Sequence, residues 1–191
     1  MLEKFYPYEY VEDVFTIDYA KLYGMGYRAI IFDIDNTLVP HGADSTDPIE
    51  ELFRNIHAAG FKTLLLSNNN EKRILRFKKE IDTLYISEAE KPSPDAFLKA
   101  ASLLQTDKNR IVVVGDQLFT DIYGANKAGM ASILVKYIGY YKKEWKGYTR
   151  YLEKVVLFLY SLNKKCQHRL YTNESEYRWQ RKRNYSVRLV L

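Results

Sequence analysis

The chain has 191 residues, 47% of them apolar, enough to fill the core of one domain with an appendage and to exclude disorder throughout. A single cysteine, Cys166, excludes an intrachain disulfide and a thiolate zinc cluster. The formal charge of +5 is unevenly spread: residues 1–135 hold 15 Lys or Arg against 20 Asp or Glu, whereas residues 136–191 hold 14 against 4. The first thirty residues lack the basic start and apolar centre of a secretory signal. No stretch reaches the roughly 18 apolar residues of a spanning helix, so the expectation is a cytoplasmic protein, soluble or peripheral at the inner face of the membrane.

In chain order, YPYEYVEDVFTIDYAKLYGMGYR predicts an extended arm and then a helix over 17–23, ended by Gly24 and Gly26. RAIIFDI (28–34) reads as a buried strand. DPIEELFRNIHAAG (47–60) predicts a helix with Asp47 as cap, Pro48 in the first position and Gly60 at its end. FKTLLLS (61–67) is a second strand, and NEKRILRFKKE a helix with Ile74 and Phe77 on one face. A weaker strand, TLYI, covers 83–86. SPDAFLKAASLL follows as a helix with Ser93 as cap and Pro94 in its first position, then the strand NRIVVVGD (109–116). FTDIYGANKAG predicts a helix running to Gly129, and ASILVK (131–136) closes the strand series. Near-continuous apolar strands alternating with amphipathic helices predict an α/β fold: a three-layer α/β/α sandwich with a parallel, Rossmann-like sheet.

Beyond residue 136 the texture changes. One helix is predicted over 147–165, with Tyr148, Tyr151, Leu152, Val155, Leu159 and Leu162 sharing a face and Arg150, Glu153 and Lys154 elsewhere. The final YRWQRKRNYSVRLVL reads equally as a strand, a docked arm or a disordered end. The expected organisation is an N-terminal arm and helix (1–27), a core (28–136) and a basic, aromatic extension (137–191).

In an open parallel sheet the ligand crevice lies beyond the carboxyl ends of the strands. Each polar cluster falls at such an end: Asp33 and Asp35, then Ser67 followed by Asn68 to Asn70, then Gly115, Asp116 and Asp121, with Lys91 in the loop after the weak strand. Buried carboxylates are costly without partners. Grouped in this way they are hard oxygen ligands suited to Mg²⁺. A lysine and a serine hydroxyl beside them suit phosphoryl oxygens, and an aspartate serves as nucleophile in phosphoryl transfer. The three histidines share no ligand spacing with Cys166, so no zinc site is expected. Asp44 and Asp47 read as cap or turn residues.

The chain resembles the haloacid dehalogenase superfamily of phosphatases. Its Asp-x-Asp-x-Thr motif stands as DIDNT (33–37), its serine as Ser67 in LLLSNN, its lysine as Lys91 in KP, and its acidic pair in GDQLFTD (115–121). The resemblance covers about residues 28–136. It implies that Asp33 is phosphorylated and that Asp35 acts as acid and then base. It also implies that Mg²⁺ is held by Asp33, the Asp35 carbonyl and Asp116 with Asp121 in support, that Ser67 and Lys91 hold phosphoryl oxygens, and that Thr37 and Asn68 order the loops. The intervals of 31 residues between Asp35 and Ser67 and 23 between Ser67 and Lys91 leave no room for a cap domain. The short capless form, with FDIDNTLVP, SNNN and EKPSPDAF, resembles the type IIIA branch that includes phosphatidylglycerophosphate phosphatases. That likeness implies a phosphate monoester on an anionic lipid headgroup. His41 departs from the bulky aromatic expected after the proline and is a candidate substrate contact. The alternative is a soluble phosphatase for sugar, nucleotide or other small esters, with the tail as a dimer or nucleic-acid contact. For the tail itself, membrane contact and packing on the core or a second copy both stand; no nucleic-acid motif supports the third reading.

Overall fold

The computed structural model describes residues 2–138 and 147–170, with the side chains of 147–150 left aside. Six strands form one sheet: β1 (Glu9–Val11), β2 (Ala29–Phe32), β3 (Lys62–Leu66), β4 (Leu84–Ile86), β5 (Ile111–Gly115) and β6 (Ala131–Val135). Their order is β1-β6-β5-β2-β3-β4, and every pairing is parallel. The central strands are apolar at nearly every position because helices cover both faces of the sheet. Side-chain alternation sorts them. Ile30 and Phe32 join α2 (Asp47–Ala58) and α3 (Glu71–Phe77) on one face; Ala29 and Ile31 join α4 (Pro94–Leu104) and α5 (Tyr123–Ala128) on the other. The three-layer sandwich is therefore as expected, and no cap domain interrupts 36–91, all of which is described.

The predicted strands and helices occur where the apolar runs place them, with three differences. Thr46, not Asp47, is the N-cap of α2, which moves Asp47 and Pro48 into its first turn. The extended arm before α1 (Tyr19–Gly24) contains an edge strand: Glu9, Tyr10 and Val11 pair with Ile133, Leu134 and Val135. Three residues, one of them a buried glutamate, carry no apolar run, so only the open edge of β6 makes them a strand.

The third difference concerns α6 (Gly147–Leu162). Glu153, Val156 and Tyr160 are its buried residues, packed with Tyr6, Leu118, Ile122 and Leu134. Of the expected apolar face, Tyr151, Leu152, Val155 and Leu162 point to solvent instead, while Leu159 is half-buried against this cluster; Tyr148 and Arg150 of that expectation lie outside the described side chains. The segment behind α6 is tied to the N-terminal strand, with Arg169 N–H donating to the Tyr8 carbonyl and His168 Nδ1 2.8 Å from a Glu9 oxygen. The strand or arm considered for 177–191 lies outside the described residues. Among the described residues no helix is long and apolar enough to cross a membrane.

Strand order reverses at β2. The chain moves outward from β2 through β3 to β4, then crosses back to β5 and continues to β6. The crevice of such a sheet opens where this reversal parts the crossovers, at the carboxyl ends of β2 and β5. Asp33 and Asp116 are the residues that follow those two ends.

Candidate active site

Asp33 continues the β2 ladder by one bond, its N–H donating to the Val114 carbonyl at 2.9 Å. The chain then turns: the Thr37 and Leu38 N–H groups both donate to the Ile34 carbonyl, and Asn36 takes φ 66°, a left-handed conformation that asparagine tolerates better than most residues. The turn returns Thr37 beneath the first aspartate. Its hydroxyl lies 3.2 Å from Asp33 Oδ2 and 3.4 Å from Asp116 Oδ1, tying the two strand ends together.

Lys91 occupies the centre. Its Nζ donates to Asp33 Oδ1 and to Asp121 Oδ1, each at 2.6 Å, and the three side chains are almost wholly buried. The Lys91 backbone is held by Asn68, whose Oδ1 accepts the Lys91 N–H at 2.8 Å and whose Nδ2 donates to the Lys91 carbonyl at 3.3 Å. Burial pushes Asp33 up to about 6, with Lys91 opposing the rise and Asp121 adding to it. Burial pulls the Lys91 ammonium down, but Asp121 and Asp33 outweigh it and hold it above its ordinary range.

Asp121 enters from a π-helical turn, Leu118–Ile122, that runs into α5, and its Oδ2 accepts the Gln117 N–H at 3.1 Å. This return requires Gly115: a Cβ there would stand 2.4 Å from Asp121 Cβ. Oxygens of Asp33, Asp116 and Asp121 all lie within 4.8 Å of one another. Lys91 pairs with two of these three buried carboxylates, Asp33 and Asp121, and the hard oxygen chemistry of the group fits a divalent cation.

Asp35 is treated differently. Its carboxylate belongs to a second network, in which Oδ1 accepts from the Gly42 N–H at 2.9 Å and from Arg73 Nη2 at 2.8 Å, and Oδ2 from Asn69 Nδ2 at 2.6 Å. His41 Nδ1 stands 3.5 Å from Oδ2, with a largely exposed ring. Burial alone would raise Asp35, but the Gly42 N–H, Arg73 and His41 together lower it. Two aspartates two residues apart thus sit in opposite environments, one raised beside Lys91 and one lowered beside Arg73.

Arg73 is the residue that sequence reading passed over, and Asn69, seen there only as part of a polar run, gains a defined role. Arg73 lies in the first turn of α3, which starts at the carboxyl edge just after β3, and its Nη2 also donates to the Ala43 carbonyl at 2.7 Å. Its Nε and Nη1 are buried without hydrogen-bond partners. Asn69 links Asp35 to Ser67, whose Oγ lies 3.1 Å from Asn69 Nδ2 and 3.2 Å from its N–H. The available signal was position: a polar run at a strand end, and an arginine in the next helix turn. The structure thus brings Asp33, Thr37, Lys91, Asp116 and Asp121 into one cluster, held through Asn68, and places Asp35, Ser67 and His41 along its rim with Asn69 and Arg73.

Beside Asp116 a cleft of about 270 Å³ opens toward Tyr10, Tyr137 and the α6 residues Glu153, Lys154 and Leu157. Glu153 accepts the Leu118 N–H at 2.9 Å, so α6 supports the turn that carries Asp121.

Four likenesses accompany this geometry. A family model described as HAD-hydrolase-like matches residues 88–156, a span that includes Lys91, Asp116 and Asp121. The chain is 39% identical over 137 residues to the probable phosphatase YqeG of Bacillus subtilis (strain 168), a match covering 71% of this chain and 80% of that protein. It is 33% identical over 106 residues to a glyceraldehyde 3-phosphate phosphatase of Pyrococcus furiosus, spanning 49% of this chain but only 43% of that longer protein. Among solved structures, an uncharacterized protein from Listeria monocytogenes serotype 4b is similar with a TM-score of 0.49 at 20% identity, covering 69% of this chain and 98% of that one.

Proposed function

The chain belongs to the haloacid dehalogenase superfamily of hydrolases, and we propose that it is a Mg²⁺-dependent phosphatase of small phosphate monoesters, working through a phosphorylated Asp33. The single observation that supports this reading most is Lys91, held between Asp33 and Asp121 at 2.6 Å from each, with Asp116 closing the carboxylate group. The relatives named as phosphatases support the reaction, and one named for a three-carbon phosphate supports a small ester.

In the proposed reaction an Asp33 oxygen bonds to phosphorus while the bond from phosphorus to the alcohol oxygen breaks. Asp35 gives its proton to the departing oxygen. Water then attacks that phosphorus, giving its proton to Asp35, as the bond from phosphorus to the Asp33 oxygen breaks, so inorganic phosphate leaves and the Asp33 carboxylate is restored. Ser67 and Lys91 hold phosphoryl oxygens throughout. Mg²⁺ would be held by Asp33, Asp116 and the Asp35 carbonyl, with Asp121 in support, and would supply charge neutralisation between the phosphate and the nucleophile. As found, Asp35 is held toward its ionised form, which suits the base half of this cycle; the acid half requires a proton taken up as substrate binds.

A second reading rests on the open edge and the basic extension, 14 Lys or Arg against 4 Asp or Glu after residue 135. It makes the ester the terminal phosphate of phosphatidylglycerophosphate, as in the type IIIA branch. The two share one chemistry, a phosphate on a small primary alcohol. The test is Mg²⁺-dependent phosphate release from glyceraldehyde 3-phosphate, glycerol 3-phosphate, sugar phosphates and nucleotides, beside phosphatidylglycerophosphate in mixed micelles, with Asp33→Asn as blank. Preference for a soluble ester supports the first reading. Preference for the lipid replaces it with the second. Release that persists in the blank sinks the mechanism.

A further inference from the structure

α6 is apolar on two opposite faces. Glu153, Val156 and Tyr160 turn inward. Half a turn away, Tyr151, Val155, Phe158 and Leu162 are 64%, 44%, 63% and 65% exposed. Their spacing of four, three and four residues lines them along one side of the helix. A surface helix ordinarily turns charge outward; an apolar stripe of this length is the mark of a covered surface. At its far end Leu162, Lys164 and Lys165 border an open hollow of about 620 Å³ with Leu2 and Tyr6.

We propose that this outer face of α6 docks on an anionic lipid bilayer. Charge selects the occupant. Lys154, Lys164 and Lys165 are exposed beside the stripe, while the acidic residue among the described positions 151–170, Glu153, is buried on the opposite face and accepts the Leu118 N–H. A second copy of this face would set lysine against lysine with no described carboxylate between them. Anionic headgroups supply the missing charge, and the Tyr and Phe rings settle at headgroup depth. Because the inner face of α6 supports the turn between Asp116 and Asp121, docking brings the carboxylate cluster to within about one helix diameter, ~10–12 Å, of the lipid surface. Docking itself does not depend on which ester the site hydrolyses.

The experiment is cosedimentation of the full chain with phosphatidylcholine vesicles, plain or carrying about one-third phosphatidylglycerol. The chain is expected to sediment with the anionic vesicles and to remain in solution with the plain ones. Phe158→Ser with Leu162→Ser, both at exposed positions, lowers partitioning at least about tenfold and leaves hydrolysis of a soluble ester unchanged. Lys164→Glu with Lys165→Glu also lowers it, which an apolar contact alone would not predict. No sedimentation with anionic vesicles overturns the proposal, as does sedimentation that the serine pair does not reduce. So does a dimer, seen by analytical ultracentrifugation, that the serine pair dissociates: the face would then belong to a second copy. Failure of the wild-type chain to hydrolyse any ester would count against the proposed activity and leave the vesicle result readable.

Discussion

Replacing Arg73 with methionine isolates what the clamp on Asp35 does. The change removes the 2.8 Å bond from Nη2 to Asp35 Oδ1 while keeping a side chain of similar length over Phe77. Both partners are about nine-tenths buried, at 11% and 10% side-chain exposure, so little solvent screening discounts the bond. A charge-assisted hydrogen bond of this kind is worth about 1.5–3 kcal/mol net, a factor of ~10–100 if that interaction orients Asp35 in the transition state. Asp35 keeps its Gly42 and Asn69 bonds, so the carboxylate is loosened rather than expelled. The assay compares kcat/KM for an alkyl ester, glycerol 3-phosphate, with that for p-nitrophenyl phosphate. This constant reports the steps up to departure of the alcohol, and p-nitrophenolate departs without a proton. Arg73→Met is expected to lose about 10–100-fold on the alkyl ester and less than about threefold on the aryl ester, with Arg73→Lys intermediate. An equal loss on both substrates would refute the reasoning, because Arg73 would then serve the phosphoryl group or the fold. No loss on either would show that Asp35 needs no clamp.

Other outcomes follow from the cluster around Lys91. Asp33, raised from 3.8 to about 6 in the metal-free chain, contributes stability that is full below about pH 4 and is lost as pH rises through about 6. A divalent cation takes the ionised form, so the rise in Tm on adding Mg²⁺ is larger at about pH 7.5 than at about pH 5; equal rises by differential scanning calorimetry at both would contradict this. Lys91→Met leaves Asp33 and Asp121 facing each other without their ammonium and is expected to cost about 3–5 kcal/mol by urea unfolding without metal, with part recovered as pH falls, because Asp33, which Lys91 holds down, is raised further and protonates more readily without it. Gly115→Ala drives a methyl to 2.4 Å from Asp121 Cβ, so the turn carrying Asp121 shifts, and kcat falls by roughly 100-fold in steady-state assays.

Much of this molecule is written locally. The runs at 28–34, 61–67, 109–116 and 131–136 announce strands because a parallel sheet covered on both faces needs apolar residues at almost every position. Asp33, Ser67, Lys91 and Asp116 were legible for a related reason: the crevice of such a sheet lies at the carboxyl ends, and polar groups there stand out against apolar strands. Caps were legible where a side chain makes the bond itself, as Ser93 does for Asp95 N–H at 3.4 Å. Thr46 makes none, and the boundary of α2 was displaced by one residue accordingly.

What sequence left undecided depends on partners far along the chain. β1 is a strand because β6 offers an open edge 124 residues further along the chain; its own three residues, with Glu9 turned inward, carry no periodic signal. α6 is apolar on opposite sides, so its pattern alone does not say which side the core takes, and the pocket formed by Tyr6, Leu118 and Leu134 selects Val156 and Tyr160. The contrast between the surroundings of Asp33 and Asp35 is likewise a tertiary result. As sequence they are two aspartates around one isoleucine. The fold turns one toward Lys91, 58 positions later, and the other toward Arg73, 38 positions later, and burial among those different neighbours drives their acidities apart.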